Sequence, residues 1–152
     1  MLFNSVHSRL EKRLERVLFR RLYVLEESLR RLGERVESIT DEVELFEEVA
    51  RSLQEALALA SCEIYRESDG RFALVASAGR SAASANVPVT SFTLPLGVGG
   101  KSYGGIVVTE DPHVEALASE ELELLRSLAQ RLSAAIAALR AEKYEQLLKA
   151  MS

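Results

Sequence analysis

The chain is poor in the residues that disulfides, metal sites and redox centres need. Its 152 residues include one cysteine, Cys62, and two histidines, His7 and His113. A single cysteine cannot form an internal disulfide, and low cysteine content is typical of a reducing compartment, so we expect a cytoplasmic location. Neither histidine has a second histidine or a cysteine at ligand spacing. The sequence therefore predicts no metal site and no cofactor.

Long apolar runs are also missing, because charge or glycine interrupts them well short of the roughly 20 residues that a membrane helix needs. Charged residues replace the apolar core of a signal peptide near the start. Between Arg9 and Arg21 six basic residues stand against two acids, although the net charge is −4. This arm fits a solvated helix face, the flank of a membrane anchor upstream of residue 1, or a nucleic-acid arm. Because it lacks interleaved aromatic residues and a recognition motif, we expect no nucleic-acid partner.

No catalytic constellation is present, and we expect this chain not to be an enzyme. Gly100-Lys-Ser102 resembles the end of a phosphate-binding loop, but Pro95 stands where that motif needs its first glycine. A hairpin turn is the better interpretation. Cys62 lies in an apolar strand without a basic neighbour and is predicted to be a small core residue. The carboxylates are all predicted to lie on solvated helix faces or in turns.

Leucine spacing near both ends predicts long helices. From Leu18 to Ile39 apolar residues recur in steps of four and three, a seven-residue repeat that keeps a narrow seam on one side. Such a seam indicates a coiled-coil-type helix from a homodimer, or alternatively a stripe that packs within one chain. We predict a helix over residues 6 to about 37 and a last helix from an N-cap at Ser119. The predicted dimer interface is Leu18, Leu22, Leu25, Leu29, Leu32, Val36, Leu125, Leu128, Leu132 and Leu139.

The middle of the chain predicts an α+β domain. Asp41 and Glu44 have the form of a capping box for a second helix that ends near Leu59. Two β-hairpins follow, with turns at Asp69-Gly70 and over 97–101. Strands grouped between helices, with hairpin-length connections, predict an antiparallel β-sheet of four to five strands with helices packed on one face. Flanking helices complete this fold.

The ordered set of these segments resembles a GAF domain, a sensor module of bacterial signalling proteins, across residues 41–144. Three pieces carry the resemblance: Asp41-Glu-Val-Glu-Leu-Phe-Glu-Glu-Val-Ala, Gly104-Gly-Ile-Val-Val, and the helix Ser119-Glu-Glu-Leu-Glu-Leu-Leu-Arg. Leu18-Phe-Arg-Arg-Leu-Tyr23 is similar to the linker before GAF-like domains in some membrane-tethered histidine kinases. The segment over 79–90 is short for the family's pocket cover, and the nucleotide, bilin and sulfoxide motifs of its members are missing. No functional residue of the family is therefore carried over.

These observations divide the chain into a linker helix over 1–39 and a GAF/PAS-like domain over 40–149. The resemblance implies a non-catalytic module for dimerisation and signal transmission in a two-component sensor, a histidine kinase by family analogy. The alternative is a small-molecule sensor, with its unidentified ligand between the sheet and loop 79–90. The linker resemblance implies a parent protein anchored to the inner membrane upstream of residue 1, with this part of it in the cytoplasm.

Overall fold

A computed structural model describes residues 22–36, 38–80 and 90–151. In these residues a helix α1 covers 22–36, and six further elements follow: α2 Glu42–Leu57, β1 Ser61–Ser68, β2 Arg71–Gly79, β3 Ser91–Val98, β4 Lys101–Thr109 and α3 Ser119–Met151. The predicted order of helices and hairpins is confirmed. The part of the first predicted helix that falls on 6–21 lies outside the described residues. The same is true of the start, 87–89, of the third strand, which the sequence predicts over 87–96.

The four strands form one antiparallel sheet in the order β2-β1-β4-β3. Two hairpins therefore lie side by side, joined through the central pair β1 and β4, where Ile64 is the partner of Ile106. The outer strands are β2, which pairs with β1, and β3, which pairs with β4. This arrangement confirms the predicted α+β fold with an antiparallel sheet.

Both hairpins close with two residues in the left-handed region. Asp69 and Gly70 have φ angles of 51° and 77°, and Gly99 and Gly100 have φ angles of 59° and 81°. Turns with positive φ at both central residues match the twist of antiparallel strands, which explains the Asp-Gly and Gly-Gly pairs. Gly100-Lys-Ser102 is therefore a turn running into β4, as predicted, and no helix follows it to receive a phosphate.

The hydrophobic core lies on one face of the sheet, under the helices. Alternate residues of the central strands, such as Cys62 and Ile64, are fully buried and face α2, whose Phe46 and Leu53 are also inaccessible. Because side chains alternate between faces along a strand, Glu63 and Tyr65 of β1 point away from the helices. The described helices cover only this one face.

The two well-defined helix starts use different caps. The Asp41 carboxylate accepts a hydrogen bond from Val43 N at 3.1 Å, which confirms Asp41 as the N-cap of α2. The predicted N-cap at Ser119 is wrong by one residue, because the carbonyl of Ala118 accepts the first helical hydrogen bond. The Glu121 carboxylate accepts a hydrogen bond from Ala118 N at 2.9 Å, and Glu121 is 1% exposed. The prediction that all carboxylates are solvated is therefore also wrong.

Helix α1 packs onto the domain through one side. Leu25 and Leu32 are 0% and 2% exposed and belong to the same core as the sheet. The guanidinium of Arg35 pairs with the Glu48 carboxylate on α2, which ties the end of α1 to the neighbouring helix. Leu25 and Leu32 are seven residues apart, which is about two helical turns, and therefore lie on the same face of α1. This face packs against the rest of the same protomer.

Candidate functional site

The predicted interface residues divide into two groups by burial. Five of them are at most 4% exposed within the single chain, namely Leu25, Leu32, Leu125, Leu128 and Leu132. Four others are half-buried, namely Leu22, Leu29, Val36 and Leu139. Leu18 lies outside the described residues. The first group already packs inside the protomer, so a second copy has only the half-buried group and its exposed neighbours to contact.

The apolar face of α3 continues past the part of the helix that packs on the core. Within the domain this face is buried at Leu125, Leu132 and Ile136. Eleven residues make about three helical turns, so Leu147 lies on the same side as Ile136. Every residue from 141 to 151 is exposed. Four large apolar side chains in this segment are 50% to 84% exposed, namely Tyr144, Leu147, Leu148 and Met151.

Arg140 marks the point where α3 leaves the core. Its guanidinium lies 4.7 Å from the centre of the Tyr103 ring on β4, in cation–π geometry. The same group donates a hydrogen bond to Glu42 at 2.9 Å, at the start of α2. One side chain therefore connects α3 to both the sheet and α2. The sequence shows no periodic signal for this contact, since the three residues come from three separate elements.

Ser133 gives α3 a second polar contact with the sheet. Its hydroxyl accepts a hydrogen bond from Gly97 N at 3.0 Å and donates one to the Ala129 carbonyl at 2.7 Å. Gly97 lies at the irregularity where β3 shifts register against β4. A backbone N–H that the strand pairing leaves unpaired is thus satisfied by the helix, which fixes α3 along β3.

The sheet face opposite the helices is open in the described part of the chain. Tyr65 of β1 has Leu74 and Gly105 as cross-strand partners, and Gly105 in turn has Pro95. Directly opposite residues share a face, so these side chains lie side by side. Phe72 and Leu74 on the outer strand are 62% and 54% exposed.

Among the described residues, the open face presents a polar pair formed by Tyr65 and Glu63. The hydroxyl of Tyr65 donates a hydrogen bond to the Glu63 carboxylate, and this bond raises the pKa of the Tyr65 phenol. A raised pKa keeps the phenol neutral, so Tyr65 is a hydrogen-bonding group rather than a base. The loop expected to cover this face, over 79–90, falls mostly on residues 81–89 and lies outside the described part.

The structure shows how exposed the titratable groups are that stand out in the sequence. Cys62 is fully buried, and burial raises the pKa of its thiol to about 12, which confirms a core residue and not a nucleophile. His113 is exposed, and His7 and the basic arm over 9–21 lie outside the described residues. No group of three metal-ligating side chains occurs within 22–36, 38–80 and 90–151. No helix in the described ranges is long and apolar enough to cross a membrane.

Together these features define a class: a small α+β domain whose antiparallel sheet has helices on one face, an open opposite face, and a long exit helix. Solved structures of GAF domains share this fold. The chain aligns with the GAF domain of a putative sensor histidine kinase from Pseudomonas syringae pv. tomato at a TM-score of 0.63 and 16% identity, over 93% of this chain and 99% of that one.

Two further structures show how widely the fold is used. The GAF domain of a phosphoenolpyruvate-protein phosphotransferase from Coxiella burnetii aligns at a TM-score of 0.65 and 18% identity, over 81% of this chain and 98% of that one. Free methionine-R-sulfoxide reductase from Neisseria meningitidis, solved with its substrate, aligns at 0.67 and 17%, over 80% and 93%. No protein-family model and no curated protein sequence matches the chain. The chain has the GAF fold, as the sequence resemblance predicts.

Proposed function

We propose that this chain is a non-catalytic GAF-like module for dimerisation and signal transmission in a bacterial signal-transduction protein, with a histidine kinase as the parent. The observation that carries the proposal is the face of α3, which is buried in the domain and continues exposed over 141–151. A helix without tertiary contacts is only marginally stable in water, so this segment gains most from pairing with a second copy. The Pseudomonas syringae neighbour supports the histidine kinase context, since it aligns with 93% of this chain.

In this proposal the interface differs in part from the ten residues predicted from the leucine repeat. The exposed side chains Tyr144, Leu148 and Met151 provide the contacts of α3, and the half-buried rim at Leu29 and its neighbours those of α1. A signal that arrives through α1 changes how the two copies of α3 meet, and α3 conveys the change to whatever follows. Such transmission requires two packings of the helices with different contacts.

The proposal is tested by charging the exposed end of α3. Leu148→Asp with Met151→Asp places carboxylates on the apolar stripe without touching the core, because both side chains are exposed. We expect native mass spectra to show twice 16.8 kDa for the unchanged chain and 16.8 kDa for this variant. Gln146→Asp with Lys149→Gln changes the net charge by the same amount on the opposite side of the helix and is expected to stay dimeric. A monomeric unchanged chain contradicts the proposal, as does a dimer unaffected by the first pair.

A second candidate function is a small-molecule sensor that uses the open sheet face. The observation that favours it is the exposed apolar surface at Phe72 and Leu74 beside the Tyr65–Glu63 pair. Binding sites are mostly apolar with a few polar groups that orient the ligand. A stoichiometric small-molecule adduct in the native spectrum, lost on Thr93→Arg but kept on Ser127→Arg, would support this function. If no such adduct is found in protein from several expression hosts, the sensor function is contradicted and the transmission module remains.

A further inference from the structure

A charged cavity lies at the point where α3 leaves the domain, on the helix side of the sheet and therefore away from the open face. Two adjoining hollows of about 560 and 490 Å³ make up this exit cavity. Four residues line both hollows: Glu42 from α2, Arg66 from β1, and Arg140 and Lys143 from α3. Three cationic side chains from two elements thus surround one space.

The space exists because Arg66 has small neighbours. Its cross-strand partners are Ala73 on β2 and Gly104 on β4. Ala73 lines the smaller hollow with only a methyl group, so a larger side chain at this position would fill part of the space. Gly104 has φ +138°, and a Cβ built on it would lie 1.9 Å from the Tyr65 carbonyl oxygen. The close approach of β4 to β1 beside Arg66 therefore requires glycine at this position.

Among the described residues, only one of the three cationic side chains around the exit cavity is paired with an acid. Arg140 is paired with Glu42 and stacked on Tyr103. Within the described residues, Arg66 and Lys143 form no ion pair or hydrogen bond through their side chains, although Arg66 is only half-exposed. A partly desolvated guanidinium without a carboxylate partner is a strong donor to an anion.

The acids that line the same space do not neutralise these two cations. Asp41 holds the start of α2 through Val43 N, and Glu42 is engaged by Arg140. Glu142 is exposed and lies in the wall of the larger hollow, and the half-buried Glu67 lies in the wall of the smaller one. In the described structure neither rim carboxylate pairs with Arg66 or Lys143, so an anion faces two free donors.

We propose that the exit cavity is an oxyanion-binding site, in which Arg66 and Lys143 hold the carboxylate or phosphate group of a small ligand and Arg140 lies beside them. Arg66 provides the planar two-donor fork that carboxylate and phosphate oxygens fit, and Lys143 provides a mobile point charge. The bound group connects β1 with α3 beyond Arg140, at the start of the exposed segment 141–151. The site is built from one protomer and does not depend on the proposed dimer.

Binding is tested by titrating the ¹⁵N-labelled protein with inorganic phosphate, and separately with acetate, while chloride holds the ionic strength constant. We expect saturable shifts at the amides of Arg66, Ala73 and Lys143. Arg66→Gln and Lys143→Gln are each expected to weaken the tighter probe about tenfold, the usual loss for one charge-assisted contact. Ala73→Leu fills the hollow without changing charge and is expected to weaken it as well. Arg126→Gln, on an exposed position of α3, is the matched control.

The outcomes separate the sources of the anion and the failure of the proposal. Tighter binding of phosphate identifies a phosphorylated ligand, and tighter binding of acetate identifies a carboxylate ligand. Shifts that never saturate with either probe, or an affinity equal to the unchanged protein in both Arg66→Gln and Lys143→Gln, would overturn the site. Because Lys143 is exposed, its variant stays folded even if Arg66 also contributes to stability.

Discussion

Gly104 is the residue at which the backbone leaves least freedom for substitution. Its φ of +138° is a conformation that residues with a Cβ rarely adopt, and the Tyr65 carbonyl occupies the space of a side chain. Gly70 has φ +77° but no heavy atom within 4 Å of a built Cβ. Substitutions at the two glycines therefore distinguish the cost of the dihedral angle from the cost of the clash.

We expect Gly70→Ala to lower the free energy of unfolding by about 1 kcal/mol, the cost of a left-handed conformation for alanine. Gly104→Ala adds a backbone clash in the middle of the sheet, so we expect a loss above ~3 kcal/mol or failure to fold. Urea unfolding of both variants measures the difference. Equal losses at the two positions would show that the sheet relaxes around a Cβ at Gly104.

Cys62 links burial to pH at the residue scale. Burial raises the pKa of its thiol from 9.0 to about 12. The neutral thiol is therefore favoured in the folded state, and its contribution to stability is complete below pH 9 and is lost as pH rises toward 12. At pH 8 we expect the thiol to react with a thiol-specific reagent only through unfolding, so the rate rises with denaturant. A rapid reaction in native buffer would contradict a buried Cys62.

At the scale of elements, α3 is held by a few polar contacts in addition to its leucines. Ser133 is 2% exposed and satisfies Gly97 N. Removing the hydroxyl breaks the part-buried hydrogen bond to Gly97 N and the bond to the Ala129 carbonyl, so we expect Ser133→Ala to cost about 1 kcal/mol of stability. Ser127→Ala, on the exposed side of the same helix, is the matched control and is expected to be neutral. Chemical denaturation compares them, and equal stabilities would mean that Gly97 N finds another acceptor.

The Arg140 contact decides where the exit of α3 begins. Its pair with Glu42 is partly solvated, with side-chain exposures of 32% and 20%, so screening lowers its strength. We expect Arg140→Ala to lower global stability by about 0.5–1 kcal/mol through loss of the ion pair and the cation–π contact. The sharper readout is amide hydrogen exchange, which should become faster over 137–146 and not at 125–132. Exchange that is unchanged in both ranges would show that the leucines alone anchor this end.

At the scale of the whole molecule, burial in the protomer limits how dimerisation can be tested. Leu25 is fully buried in the core, whereas Leu29 on the same helix is half-buried. We expect Leu25→Glu to unfold the domain, because it places an unpaired carboxylate in the core. Leu29→Glu should retain the fold and weaken any pairing through α1. Thermal unfolding and native mass measured together distinguish the two, and a folded Leu25→Glu protein would contradict the packing of α1.

Local chemistry accounts for what the sequence determined by itself. The Asp69-Gly70 and Gly99-Gly100 turns, the Asp41 cap and the burial of Cys62 follow from interactions within a few residues or from strand alternation. The order of helices and hairpins, and with it the antiparallel sheet, was predicted on the same grounds.

Tertiary packing decided which surfaces of these elements remain exposed for a partner. A seven-residue leucine repeat has the same pattern whether its partner is another copy or the same chain, and packing places Leu25 and Leu32 inside the protomer. The buried Glu121 and the exit cavity around Arg66 and Lys143 likewise have no local signature. Arg66 and Lys143 are distant in sequence, and only the crossing of α3 over the sheet brings them to one space.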